Sequence, residues 1–306
     1  MLTIFSTPKP FRGHIRVIQT NAIRSWVSLC PKCEVILFGD EEGTTEIASD
    51  LGIRHIPEVE RNEYGTPLVR SMFNIAQNIA SHELMCYVNA DIILMSDFLP
   101  AVQHVRKCPF LMVGQRWDLE LNESVNFDDV QWEPRLWACV AGHGKLHPES
   151  GIDYFVFSRG LYDDIPPFAI GRPGWDNWMI YRARSLKVPV IDATRVLTAV
   201  HQSHDYSHHI EGKAGVWEGP EAQRNRKLMG KYRYNCSFNV RDATWILTSH
   251  GLKPALSLEH IYFRCRAILV LHPRLRFLRW SLEETILRLA SFIRKIVSKH
   301  HKKVDN

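Results

Sequence analysis

Three short stretches combine residue types and spacings suited to chemistry. The first is Asn89-Ala-Asp91, which directly follows the apolar run Cys86-Tyr-Val88 and precedes Ile92-Ile-Leu94. A carboxylate within so apolar a run needs a partner to offset its desolvation. At the end of a strand it can hold Mg²⁺ or Mn²⁺, which favour oxygen ligands and share their coordination with phosphates. The plainer reading is a turn, which Asn and Asp both favour. The second stretch, Gly174-Trp-Asp-Asn-Trp178, sets Asp176 where a helix opens, flanked by two indoles. An acid there is also favoured by the helix dipole alone, and tryptophans are common in cores. The third, His201-Gln-Ser-His204-Asp205, offers imidazoles, and with His208 it has the makings of a zinc site that nothing else in the sequence reinforces.

These residues need a scaffold. Leu2–Phe5, Glu34–Phe38 and Gly52–Ile56 read as strands, with helices expected over roughly His14–Ser28 and Glu46–Leu51. Thr66-Pro67 is a suitable helix start, and Leu68, Met72, Ala76 and Ile79 then mark a buried face. Leu84–Val88 and Phe110–Val113 are apolar enough for inner strands. This alternation predicts an α/β domain with a mainly parallel sheet, in which ligands bind beyond the carboxyl ends of the strands. Trp117–Glu149 reads as a long irregular segment, of the kind that carries function. Beyond it come a strand at Tyr154–Phe157, a helix at Gly174–Leu186 and an edge strand at Pro189–Asp192, the edge being where proline is tolerated.

The chain has 306 residues, 45% of them hydrophobic and 23% charged, enough for a sizeable core. Its seven cysteines are scattered and odd in number, which points to a reducing compartment rather than a disulfide scaffold. Cys30-Pro-Lys-Cys33 has no second pair with which to form a zinc ribbon. No signal peptide or membrane span is evident in the sequence, so a cytoplasmic protein is expected. Net charge is +5, but the residues from Ala255 onward hold eleven Lys/Arg against four Asp/Glu. That pattern suggests a basic surface-binding element on a nearly neutral body, not a nucleic-acid-binding domain throughout. Leu282, Ile286, Leu289, Ile293 and Ile296 recur at helical spacing with Arg and Lys between them, as in a basic amphipathic helix suited to a membrane surface.

The strand ending in Asn89-Ala-Asp91 resembles the DxD motif of nucleotide-sugar glycosyltransferases of the GT-A fold, and the order of elements over residues 1–245 is similar to theirs. The resemblance implies a Rossmann-like, mainly parallel sheet flanked by helices. It places a nucleotide-sugar half at 1–115 and an acceptor half at 116–250, with a helical tail at 251–306. It also implies a nucleoside diphosphate sugar donor, such as a UDP-sugar, a saccharide or lipid-linked acceptor, and a divalent cation. The motif's first position is Asn89 rather than an acid; its amide can bond a sugar or ribose hydroxyl, while Asp91 keeps the charge for the metal. By the same resemblance Thr7 and Lys9 lie by the nucleotide, Asp40 meets the base or ribose, and Arg70 and Asn74 face the donor from one helix. His201 becomes a second metal ligand, with His204 and His208 near phosphates. Asp176 becomes the base that deprotonates the acceptor. Asp153 and Trp175 become acceptor contacts, with Asp153 the alternative base. Two other readings are a nucleotidyltransferase, whose Gly-rich phosphate loop Thr7–Gly13 matches poorly, and a non-catalytic nucleotide- or glycan-binding relative.

Overall fold

The computed structural model describes residues 1–204, 212–230 and 238–272, without the side chains of Lys213 and Leu269. In chain order its elements are β1 (Leu2–Ser6), α1 (Gly13–Val27), β2 (Glu34–Phe38), α2 (Thr44–Leu51), β3 (Arg54–Ile56), α3 (Val69–Ile79), β4 (Leu84–Val88), β5 (Ile92–Leu94), α4 (Phe98–Gln103), β6 (Leu111–Val113) and β7 (Trp117–Leu119). There follow α5 (Trp132–His143), β8 (Lys145–Leu146), β9 (Tyr154–Ser158), α6 (Trp175–Ser185), β10 (Val190–Asp192), β11 (Ala199–Gln202), α7 (Gly212–Glu218), α8 (Pro220–Leu228), β12 (Trp245–Thr248), β13 (Gly251–Pro254) and α9 (Leu258–Leu271).

Two sheets organise these elements. The larger runs β13-β12-β10-β6-β9-β4-β1-β2-β3 and the smaller β5-β11-β7-β8. In the larger sheet β1, β2, β3 and β4 are parallel neighbours, as are β6, β10 and β12, while β9 runs antiparallel between β4 and β6. The expected α/β architecture, a mostly parallel sheet flanked by helices, is therefore observed. Both faces of the central strands are buried, so β1, β4 and β9 read as continuous apolar runs. One face carries an aromatic stack in which Phe5, Phe73, Tyr87 and Phe157 meet with centroids 4.9–6.2 Å apart. On the other, α1 buries Ile18, Ala22, Ile23 and Trp26, and the Trp26 indole N–H donates to the Ile92 carbonyl at 2.9 Å. That bond fastens the small sheet to α1.

Several expectations change. Trp117–Glu149 is not irregular: it contains β7, α5 and β8, whose two short strands have too few residues to show a period of two. The strand at Val190–Asp192 is interior, between β6 and β12, because Pro189 stays just outside it and donates nothing the ladder needs. Helix α3 starts at Val69 rather than at Thr66-Pro67, because Pro67 and Leu68 first form bridges with Arg61 and Ala169. The sheet also continues past residue 250, since β13 pairs with β12, and α9 buries Phe263 and Ala267. Of the expected tail, the segment Leu282–Ile296 lies outside the described residues, as does His208. Among the described residues no helix is long and apolar enough to cross a membrane, and every cysteine is free.

Candidate active site

The site forms where β1 and β4 end side by side. The Ser6 hydroxyl donates to the Val88 carbonyl at 2.6 Å, locking the two strand ends together. Thr7 and Lys9 leave β1 there, and Asn89 and Asp91 leave β4. They line one cavity of about 330 Å³ with Glu41 and Arg172. The Lys9 backbone is fixed by Gln19, whose side chain accepts from Lys9 N at 2.6 Å and donates to Lys9 O at 2.8 Å. Burial lowers the Lys9 pKa; the Asp91 charge opposes that shift, and Arg172 adds to it. The pocket therefore sets the cationic groups of Lys9 and Arg172 close together beside the carboxylates of Asp91 and Glu41, and the cations give a polyanion its partners.

Asp91, His201 and His204 bring one potential ligand atom each to within 4.8 Å of one another. Sheet register explains the convergence. In the antiparallel pair β5–β11, Ile92 faces His201, and the Gln202 N–H donates to the Asp91 carbonyl at 3.2 Å. His204 Nε2 lies 3.2 Å from Asp91 Oδ2, and His201 Nε2 lies 3.9 Å from the same oxygen. The other oxygen, Asp91 Oδ1, is buried with no hydrogen-bond partner. Burial works to raise the Asp91 pKa. The His204 hydrogen bond, the neighbouring His201 imidazole and the Lys9 charge outweigh it and hold the carboxyl below the usual range. An ionised carboxylate with an unpartnered oxygen, facing two imidazoles, is a donor set that fits a divalent cation.

Asn89 is tied into a second network. Its Oδ1 accepts from the Tyr87 hydroxyl at 3.0 Å and its Nδ2 donates to Asp153 Oδ1 at 2.6 Å. Asp153, 6% exposed, accepts from Arg116 Nη1 on its second oxygen, Oδ2, at 2.7 Å. Asp176 opens α6, where its Oδ1 accepts from the Gly174 N–H at 3.2 Å. Burial pushes its pKa up to about 6 against a backbone hydrogen bond from Asn177, and the Asp153 charge adds to the rise.

Of the expected residues, Thr7, Lys9, Asn89 and Asp91 line the cavity, whereas Asp153, Asp176 and His201 lie outside its lining. Asp40 is exposed and paired with Arg61. Its neighbour Glu41 lines the cavity instead, with Oε1 bound by Arg61 at 3.0 Å and Oε2 buried without a partner. Arg70 and Asn74 do share a helix face, but it is the outward one: α3 buries Val69, Met72, Phe73, Ala76 and Gln77, Arg70 bonds Glu60 at 3.1 Å and Asn74 is exposed. Trp175 is 5% exposed and packs edge-on against Tyr87 at 5.2 Å, and Trp178 packs against Phe168. Neither indole presents a face for stacking on a sugar; both belong to the core.

Asp118, Arg116, His147, Glu41 and Arg172 were not singled out from sequence. Asp118 bonds both His147 and His201, at 2.6 and 3.1 Å. It lies 83 residues from His201, and only the parallel pairing of β7 with β11 joins them. Glu41 did carry a local signal, because it follows Gly39-Asp40 at the end of β2.

No protein-family model matches the chain, and no curated protein matches it. Among solved structures, it is similar to the mannosyltransferase PcManGT from Pyrobaculum calidifontis in complex with GDP-Man and Mn²⁺, at 15% identity over 65% of this chain, with a TM-score of 0.41. It is also similar to glucosyl-3-phosphoglycerate synthase from Mycobacterium tuberculosis in complex with Mg²⁺ and UDP, at 13% identity over 78% of this chain and 80% of that one, with a TM-score of 0.45. S. aureus TarS 1-349 in complex with UDP-GlcNAc is similar at 12% identity over 66% of this chain, with a TM-score of 0.43. The match spans 56% of the mannosyltransferase chain and 59% of the TarS chain.

Proposed function

We propose that this protein is a glycosyltransferase of the GT-A type, moving a sugar from a nucleoside diphosphate sugar to a hydroxyl of a saccharide or lipid-linked acceptor. The observation that carries this reading is the convergence of His201 and His204 on Asp91, which itself lines a cavity with Lys9 and Arg172. Asp91, His201 and His204 would hold a divalent cation. Mixed imidazole and carboxylate ligands suit Mn²⁺ better than Mg²⁺, whose preferred sphere is all oxygen. Such a cation neutralises diphosphate charge and stabilises the leaving group.

The chain's own groups do the rest. The Lys9 ammonium and Arg172 guanidinium oppose the diphosphate charge. The Thr7 hydroxyl, donating to the Phe38 carbonyl at 3.0 Å, keeps its oxygen as an acceptor. Glu41 Oε2 offers an acceptor to the imide N–H of uracil, the role first expected of Asp40; this supports a UDP-sugar. Asn89, with one N–H and one lone pair still available, orients a hydroxyl of the donor. Asp176, with its pKa near 6, takes the acceptor proton as the hydroxyl attacks. On this reading residues 1–115 bind the donor together with Arg172, His201 and His204, the remainder of 116–250 shapes the acceptor side, and the basic sequence beyond α9 gives a cytoplasmic enzyme weak, reversible contact with an anionic membrane surface.

The test is turnover. With Mn²⁺ and a panel of nucleoside diphosphate sugars, purified protein releases nucleoside diphosphate, and Asp91→Ala abolishes the release. Pyrophosphate formation from a sugar phosphate and a nucleoside triphosphate would replace this reading with nucleotidyl transfer.

A further inference from the structure

Asp118 occupies the middle of a row that crosses the small sheet. Ile92 on β5 pairs with His201 on β11, His201 with Asp118 on β7, and Asp118 with Lys145 on β8. The Asp118 carboxylate is used on both oxygens. Oδ1 accepts from Arg116 Nε at 3.0 Å and lies 3.1 Å from His201 Nδ1, while Oδ2 lies 2.6 Å from His147 Nδ1. Facing one guanidinium and two imidazoles, the carboxylate serves as the acceptor, and both histidines present N–H to it.

This determines which nitrogen His201 turns toward Asp91. A neutral imidazole that donates from Nδ1 carries its lone pair on Nε2, the atom 3.9 Å from Asp91 Oδ2. That distance is too long for a hydrogen bond and shorter than two metal–ligand bonds of about 2.1 Å laid end to end. His147 in turn holds the carboxylate against rotation, and its ring is closely seated: a Cβ at Gly151 would come within 2.2 Å of His147 Cδ2.

We infer that Asp118 is the positioning residue of the cation site: it fixes His201 in the Nδ1–H tautomer with Nε2 turned toward Asp91, and raises the affinity of that nitrogen for a divalent cation. The inference rests on the reading of Asp91, His201 and His204 as ligands. Carboxylates that hold a ligating histidine in this way typically contribute about 10–100-fold in metal affinity.

Direct Mn²⁺ titration of the full chain, read by the electron paramagnetic resonance of free Mn²⁺, tests this without reference to turnover. Asp118→Asn, nearly the same size, is expected to bind Mn²⁺ about 10–100-fold more weakly than the unsubstituted protein. A companion measurement needs no substitution at Asp118. Histidine ¹⁵N spectra of the metal-free protein, with His201 assigned by its loss in His201→Gln, are expected to show Nδ1 protonated and Nε2 bare. Asp118→Asn binding Mn²⁺ as tightly as the parent would overturn the inference while leaving the cation site intact, as would an Nε2–H tautomer at His201. A parent protein that binds no Mn²⁺ would remove the underlying reading and this inference together.

Discussion

Asn89 and Asp153 are joined twice: the Asn89 backbone N–H donates to the Asp153 carbonyl at 2.9 Å, and its side-chain amide donates to the Asp153 carboxylate at 2.6 Å. Because β9 runs antiparallel to β4, with Tyr154 opposite Val88, the residue before β9 falls beside the residue after β4. The amide at position 89 thus has a structural reason. A carboxylate there would face the Asp153 carboxylate at hydrogen-bond distance, in a place too buried for water to screen the repulsion.

Asn89→Asp is accordingly expected to cost about 2 kcal/mol or more in denaturant unfolding, on the scale of a lost hydrogen bond to a charged group, and to reduce activity. The exchange Asn89→Asp/Asp153→Asn restores one amide and one carboxylate and is expected to recover more than half of the lost stability. A double variant no better than the single one would show that the pair is not coupled.

Asp176 is predicted to lose its proton near pH 6, where burial has placed its pKa. If it receives the acceptor proton, kcat/KM falls as pH drops below about 6, because the base becomes protonated. Asp176→Asn then lowers kcat by about 10²–10⁴-fold, the usual worth of a general base, and removes that limb of the profile. An Asp176→Asn enzyme with an unchanged acidic limb would move the base elsewhere.

Trp175 separates a core role from sugar stacking. Removing an indole packed on Tyr87 and Phe155 is expected to cost about 3–5 kcal/mol on Trp175→Ala. Unchanged stability together with a raised acceptor KM would restore the stacking role.

Asp97 offers a stability test away from the site. One of its oxygens accepts from the Thr198 N–H at 2.9 Å, and the other is buried without a partner. Burial pushes its pKa up to about 6, against the Thr198 hydrogen bonds and with help from the Glu133 charge. The folded state therefore keeps a proton that the unfolded chain releases near pH 4, and stability contributed at low pH is lost as pH rises from about 4 to 6. Asp97→Asn removes this dependence. Its Tm advantage over the parent is expected to grow across that window and stay level above it; a constant difference from about pH 4 to 8 would contradict the buried-carboxyl account.

Much of the scaffold could be read from local pattern. The spans of β2 and β4 follow from apolar runs bounded by polar residues, and the buried side of α3 follows from helical spacing. The resemblance to GT-A glycosyltransferases put Thr7 and Lys9 by the same ligand as Asn89 and Asp91, and the four line one cavity because the parallel strands β1 and β4 end side by side. Local pattern failed where meaning depends on pairing between distant segments. Asp118 and His147 sit on or beside strands two or three residues long, and their company is set by the register of β7 with β8 and β11. Arg70 and Asn74 failed differently: one turn of helix puts two residues on one face without saying which way that face points.

On the proposed function, Asp91, His201 and His204 would hold a divalent cation that offsets the donor's diphosphate charge. Calorimetric titration of UDP into the protein, in Mn²⁺ and again in a chelator, tests it most directly. Mn²⁺ is predicted to tighten UDP binding at least ~10-fold, about 1.4 kcal/mol, and Asp91→Asn to abolish that gain while leaving the metal-free affinity near that of the parent. UDP binding that is indifferent to Mn²⁺, or a Mn²⁺ gain that survives Asp91→Asn, would contradict the account.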